Sequence, residues 1–164
     1  MQKMKRILIL LFVLISCVGC DQATKLVARQ TLATAPVQEY AGGLFRLVYA
    51  ENPGAFLSLG ATLPATARFW IFVVMAALLL TGVGIFALRS LQQTPLPGIV
   101  AIALVIGGGL GNLIDRIVHD GRVVDFMQVG FPWLRTGVFN VADMAIMTGV
   151  GLMLLTTVRS RQEE

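Results

Sequence analysis

Four stretches of this chain are too long and too apolar for an ordinary soluble core: about Ile7 to about Val27, Phe69 to Leu88, Ile99 to Val118 and Val138 to Val158. Each holds about twenty residues, the number an α-helix needs to cross a hydrocarbon layer of about 30 Å. Inside lipid the backbone must satisfy its own hydrogen bonds, so all four are expected to be helices. The expected fold class is therefore mainly α, an integral membrane protein with four transmembrane helices, and 164 residues suit a single domain, 1–164. Composition agrees, with 56% hydrophobic and only 13% charged residues. The net charge of +4 is scattered, with no basic run beyond MQKMKR, which excludes nucleic acid as an expected partner and favours membrane lipids.

Four spans put both termini on one side. Lys3, Lys5 and Arg6 mark that side as cytoplasmic, and Arg89, Arg159 and Arg161 fall there too. The segment 29–68 contains Pro36, Gly42, Gly43, Pro53, Gly54, Gly60 and Pro64, too punctuated for a span, and is expected to be an outer-face insertion. Within it, Leu44 to Tyr49 mixes aromatic and β-branched residues as a strand does and ENPGA reads as a turn, so a small extramembrane β-sheet is expected on the outer face. From His119 to Gly137 the chain reads as a loop, extended at Val123 to Phe126, with Phe131, Pro132 and Trp133 suited to an interfacial belt.

The costly residues collect between Gly107 and Asp143. Each ionisable group held at bilayer depth costs about 2.5 to 3.5 kcal/mol on insertion scales, so a cluster there implies function. Asn112, Asp115 and Arg116 stand at i, i+3 and i+4 on the third span, and Asn140 and Asp143 at i and i+3 on the fourth, so two Asn-x-x-Asp faces are expected to look at each other. Asp125, on the connecting loop, can fold back onto Asp143. Asp21 and Lys25 form an acid-first i, i+4 pair at the end of the first span, where an interfacial position is expected. Gly107, Gly108, Gly109 and Gly111 are read as close helix packing.

Two carboxylates about 4 Å apart repel by roughly 4 kcal/mol at an effective dielectric near 20, or about three pK units on one of them. One then keeps a proton near neutrality, the arrangement by which an aspartic protease activates water and polarises a carbonyl. Spacing lets either Asp115 or Asp125 partner Asp143. Other hydrolytic designs fit poorly. There is no His-Glu-x-x-His and no Gly-x-Ser-x-Gly, His119 suits an interface, and pairing Ser58 with Lys25 has nothing else to recommend it. No metal or other cofactor is expected. The alternative from another class is a small proton-relaying transporter, against which stand the lack of an internal repeat and the crowding of acids at one surface.

Cys17 and Cys20 lie inside the first apolar run and are not a disulfide framework. MQKMKR, ILILLFVLIS and Leu14-Ile15-Ser16-Cys17 look like a secretory signal with a lipobox, but the run continues through Val18 and Gly19 into DQATK and further spans follow, so both cysteines are expected to act as small hydrophobes in a retained helix.

Taken in order, Asp21-Gln22-Ala23-Thr24-Lys25, Asn52-Pro53-Gly54-Ala55, Gly108-Gly109-Leu110-Gly111-Asn112-Leu113-Ile114-Asp115-Arg116, Val123-Val124-Asp125-Phe126 and Phe139-Asn140-Val141-Ala142-Asp143 resemble the lipoprotein signal peptidase (signal peptidase II) family across nearly the whole chain. The resemblance implies an aspartic endopeptidase of the bacterial cytoplasmic membrane. Such enzymes remove the signal peptide from diacylglyceryl-modified prolipoproteins by cutting before the lipidated cysteine, near the outer face, and are inhibited by globomycin. It implies Asp125 and Asp143 as the catalytic dyad, Asn112, Asp115, Arg116 and Asn140 as site support, and Asp21, Lys25, Asn52 and Gly54 as residues that shape the site and contact substrate. A monomer is expected, with the segment 29–68 acting partly as a lid. Two positions depart from the family pattern: Phe56 directly follows Ala55 where a second small residue is usual, and Met144 is bulkier than usual and is expected to narrow the site.

Overall fold

The structure, a computed structural model, describes residues 2–55 and 59–162. Phe56 and Ser58 lie outside the described residues, as do the side chains of Arg159 and Arg161. Four long apolar helices are present: α1 (Gln2–Leu32), α2 (Ala65–Ser90), α3 (Leu96–Val118) and α4 (Val141–Gln162). All are long and apolar enough to span a membrane. The boundaries differ from those read in the sequence. α1 spans 31 residues, about 46 Å of helix, with Ala28 and Leu32 of its last turns buried against Phe126. α2 is wound as a π-helix from Trp70 to Met75. α3 starts at Leu96 with Pro97 in its first turn, where the missing proline N–H has no partner to lose. α4 begins at Val141 and not at Val138, which changes the role of Asn140.

A second difference concerns 119–137, which is mostly strand. β1 (Gln38–Tyr40), β2 (Phe45–Asn52), β3 (Val123–Phe131) and β4 (Leu134–Arg135) make one antiparallel sheet in sequence order. β2 and β3 pair Leu47 with Met127 and Ala50 with Asp125, with a register shift between. Phe126 packs with Ala28 and Leu32 of α1, and Leu47, Tyr49, Met127 and Val141 close over them, so the sheet is bolted to one end of the bundle. Glu51 on β2 takes a hydrogen bond from Tyr49 and an ion pair from Arg122, which hold its carboxyl below the usual range.

α3 is the central helix. Ile99, Ala101, Ile102, Ala103, Ile106 and Leu113 are buried on it, whereas α1, α2 and α4 expose large apolar side chains such as Phe12, Leu79 and Leu154, as lipid-facing helices do. Its glycines are contact points with three different partners. A Cβ on Gly107 would press on Cys17 of α1, on Gly108 on the Ala142 carbonyl and Ile146 of α4, and on Gly109 on Leu80 of α2. Cys17 is accordingly buried, while Cys20 is exposed. At the other end of the bundle, Arg6 donates to the carbonyls of Leu91, Gln92 and Thr94, tying α1 to the α2–α3 turn.

Gly108→Ala is expected to push the first turn of α4 away from α3, because the clash is with backbone and not with a flexible side-chain tip. Overpacking of this kind costs about 1 to 3 kcal/mol. Thermal unfolding in detergent checks it, and a neutral result would show that the two helices have slack.

Candidate active site

Asn140 immediately precedes α4 and forms a reciprocal cap with Asp143. The Asn140 side-chain oxygen accepts from the Asp143 N–H at 2.9 Å, and the Asp143 carboxylate accepts from the Asn140 N–H at 3.2 Å. The two residues therefore do not share a helix face as their spacing predicts, and only α3 presents its Asn-x-x-Asp pattern as helix. The cap does more than end the helix. It leaves the Asn140 amide free to point at β3, where it donates to Asp125 Oδ1 at 2.7 Å. β3 is brought there by backbone bonds between Phe139 and the 126–127 stretch, with Phe139 donating to Met127 and accepting from Phe126 and Met127.

Each oxygen of the two carboxylates has a donor. Asp125 Oδ2 accepts from Asn52 Nδ2 at 3.1 Å, and Asp143 Oδ1 accepts from Asn112 Nδ2 at 2.9 Å. Asn112 in turn accepts from Asn140, so Asp125, Asn140, Asn112 and Asp143 form one chain of hydrogen bonds. Both carboxylates line a cleft of about 380 Å³ with Asn52, Asn112 and Arg116 at its polar end and Leu79, Leu80, Ile146 and Met147 along its apolar wall. The Asp125 carboxyl is pushed up to about 7, first by burial and then by the negative charge of Asp143, against hydrogen bonds from Asn52 and Asn140 and the charge of Lys25.

Asp115 is placed differently, although it shares the α3 face. Its Oδ2 accepts the Val124 N–H at 2.9 Å and pairs with Lys25 at 3.1 Å, and its Oδ1 accepts from Gln22 at 3.0 Å. It does not line the cleft. Asp21 and Lys25 are buried inside the protein. They are 0% and 4% exposed, paired at 2.8 Å, because Lys25 also donates to Asn112 at 3.0 Å while Asp21 accepts the Ala142 N–H at the start of α4. A carboxylate belongs at that positive helix end. Neither residue lines the cleft; both act on it through Asn112, Asp115 and α4.

The Asn52 loop is closed by its own side chain, which accepts from the Gly54 N–H at 2.9 Å. Arg116 donates to the Gly54 carbonyl at 2.9 Å and lies over the Phe72 ring at 5.7 Å. Met144 faces away from the cleft, half exposed in a groove against α1, so it does not narrow the site. Sequence reading passed over Gln22 and Phe72 as site residues. Gln22 had a signal, lying between Asp21 and Lys25, whereas nothing in the sequence marks Phe72. Among the described residues, no three His, Cys, Asp or Glu side chains converge to hold a metal ion.

Residues 13–159 match the family model described as Signal peptidase (SPase) II. The chain is 36% identical over 144 residues to a protein named lipoprotein signal peptidase from Geobacter sulfurreducens, covering 88% of each. It is 39% identical over 120 residues to one of the same name from Pasteurella multocida, covering 73% of this chain and 71% of that one. A solved bacterial membrane enzyme superposes with a TM-score of 0.77 at 26% identity, covering 98% of this chain and 91% of the other. With a cleft of paired carboxylates on a four-helix membrane frame and these matches over most of its length, the chain belongs to the signal peptidase II family.

Proposed function

We propose that this protein is an aspartic endopeptidase that removes the signal peptide from diacylglyceryl-modified prolipoproteins, cutting before the lipidated cysteine. The proposed dyad is Asp125 and Asp143. The single observation that carries this reading is Asn140, which binds both carboxylates at once in a cleft with an apolar wall. In the proposed reaction a water between the carboxyls loses a proton to ionised Asp143 while its oxygen attacks the scissile carbonyl. Protonated Asp125 donates a hydrogen bond to that carbonyl oxygen as charge develops on it. Collapse of the tetrahedral intermediate breaks the C–N bond, and the proton held by Asp143 passes to the leaving amine. Asn112, Asn140 and Asn52 hold the carboxylate planes, and Asp115, Lys25 and Asp21 hold Asn112 and α4.

The same reading sets the sheet and the dyad on the outer face of the bacterial cytoplasmic membrane with both termini inside, and makes globomycin the expected inhibitor. The proton-relay alternative is not favoured, because the family is a peptidase family and the acids lie at one end of the bundle. The deciding experiment incubates purified protein with a diacylglyceryl-modified precursor, with and without globomycin; no cleavage, or equal cleavage of an unlipidated precursor, would refute the reading.

Activity should follow the protonation of Asp125. Above about pH 7 the proton is lost, so kcat/KM is expected to fall about tenfold per pH unit. Asn52→Ala removes a bond that lowers the Asp125 pKa, so the alkaline limb should move to higher pH. The stability sign is opposite to that of a salt-bridged acid. The folded chain keeps a proton that the unfolded chain releases between about pH 4 and about pH 7, so stability falls across that window as pH rises and then levels off. An unmoved limb in Asn52→Ala would count against Asp125 as the titrating group.

A further inference from the structure

β3 carries Asp125 near one end and closes at the other in a hairpin whose tip is apolar. Phe131, Trp133 and Leu134 are 53%, 80% and 72% exposed, and the Phe131 and Trp133 rings stack with centroids 5.2 Å apart and planes 9° from parallel. Tyr40 and Leu44 are exposed nearby, where the 41–44 turn is bonded to the hairpin. The hairpin is firmly held. Gly130 N–H donates to the Leu44 carbonyl at 2.9 Å, Arg135 donates to the Gly43 carbonyl at 3.0 Å, and a side chain on Gly130, at φ +139°, would collide with the Leu134 carbonyl.

Neighbouring exposed aromatic and aliphatic side chains of this kind mark an interaction site. Its place in the fold names the partner. The lipid-facing surfaces of the spans run up to the sheet, with Leu26 and Val27 exposed on α1 and Ile117 and Val118 on α3 at that end. The tip belongs to the sheet that packs on this end of the bundle through Phe126, Leu47 and Tyr49, and Trp and Tyr are the residues that settle at the headgroup level.

We propose that the 131–134 tip is a lipid-interface anchor, which seats the hairpin in the headgroup layer and so fixes the height of Asp125 relative to the hydrocarbon. Asp125 and Phe131 are six residues apart on one strand, about 20 Å, so the strand acts as a ruler between lipid and dyad. The ruler rests on the peptidase reading, in which the bond to be cut adjoins a lipid-bearing cysteine and stands at a set depth. The anchor does not.

Trp70→Phe leaves Trp133 as the sole tryptophan of the full-length chain. In phosphatidylcholine–phosphatidylglycerol vesicles with brominated acyl chains, Trp133 fluorescence should be quenched several-fold more by bromines near the headgroup than by bromines near the chain end. It should also resist aqueous iodide at every protein-to-lipid ratio. Full iodide quenching without bromine quenching would overturn the anchor, and so would protection from both, which would mean that a second copy or another protein segment covers the tip. For the ruler, a variant carrying Phe131→Ser, Trp133→Ser and Leu134→Ser should lose about tenfold in kcat/KM on lipidated precursor in vesicles and stay within about twofold in detergent micelles. Equal losses in both would make the tip merely structural and overturn the ruler. The fluorescence readout does not involve cleavage, so a failed anchor and a failed peptidase assignment are distinguishable.

Discussion

Asp143→Asn is expected to lower kcat by about a thousandfold or more, and Asp125→Asn by a similar factor, since each removes one member of the proposed pair that would exchange protons with a single water. The double variant should be little worse than either single one, because groups that act as a unit are not additive. The folded state is less affected. Asparagine keeps the volume and one acceptor, so loss of the Asp143 half of the cap costs about 1 kcal/mol. Cleavage of a lipidated precursor, with thermal unfolding of the same preparations, separates the two effects. Asp115→Asn provides the contrast. That side chain is spent on Lys25, Gln22 and the Val124 N–H, so its loss is expected to appear first in stability. If Asp125→Asn retained full activity, the dyad would be wrong.

The largest stability effect is expected from Lys25→Met. Lys25 is a buried cation shared by Asp21 and Asp115, and removing it leaves two carboxylates without their counter-charge inside the bundle. Breaking a buried pair from one side costs about 3 to 5 kcal/mol. Combining Lys25→Met with Asp21→Asn should recover part of this, since fewer unpaired charges remain buried. Activity should fall as well, because Asn112 then keeps only Asn140 of the two donors at its oxygen and its grip on Asp143 loosens. Unfolding in mixed micelles measures the first effect and single-turnover cleavage the second. A Lys25→Met protein as stable as the parent would mean that Asp21 and Asp115 find other partners.

The proposed dyad and the Asp21, Lys25 and Asp115 ion pairs also show how far local pattern reaches. The Asn112 to Arg116 spacing is legible because an α-helix places i, i+3 and i+4 together whatever surrounds it. The Asn140 to Asp143 spacing fits a helix face and a capping box equally well, and which one forms depends on where the backbone of α4 turns. That is decided by Phe139 pairing with β3, a contact between segments with no local signature. Asp21 and Lys25 are legible as an ion pair on one helix face, but nothing in their spacing says that the protein encloses them. Only the close approach of α3, allowed by its glycines, buries them.

The sequence by itself determined that the chain carries four helices long and apolar enough to cross a membrane, since runs of about twenty apolar residues match the thickness of the hydrocarbon layer. It also determined which acids and amides gather near one end of the bundle, because those lie within or beside the runs. Tertiary structure decided which of them meet. α3 packs against α1, α2 and α4, and Asp115 turns to Lys25 and Gln22 of α1, while the pairing of Phe139 with β3 carries Asp125 to Asn140 at the cleft. Partner choice among buried polar groups follows from three-dimensional approach and the cost of leaving any one unsatisfied, and neither is encoded in residue spacing.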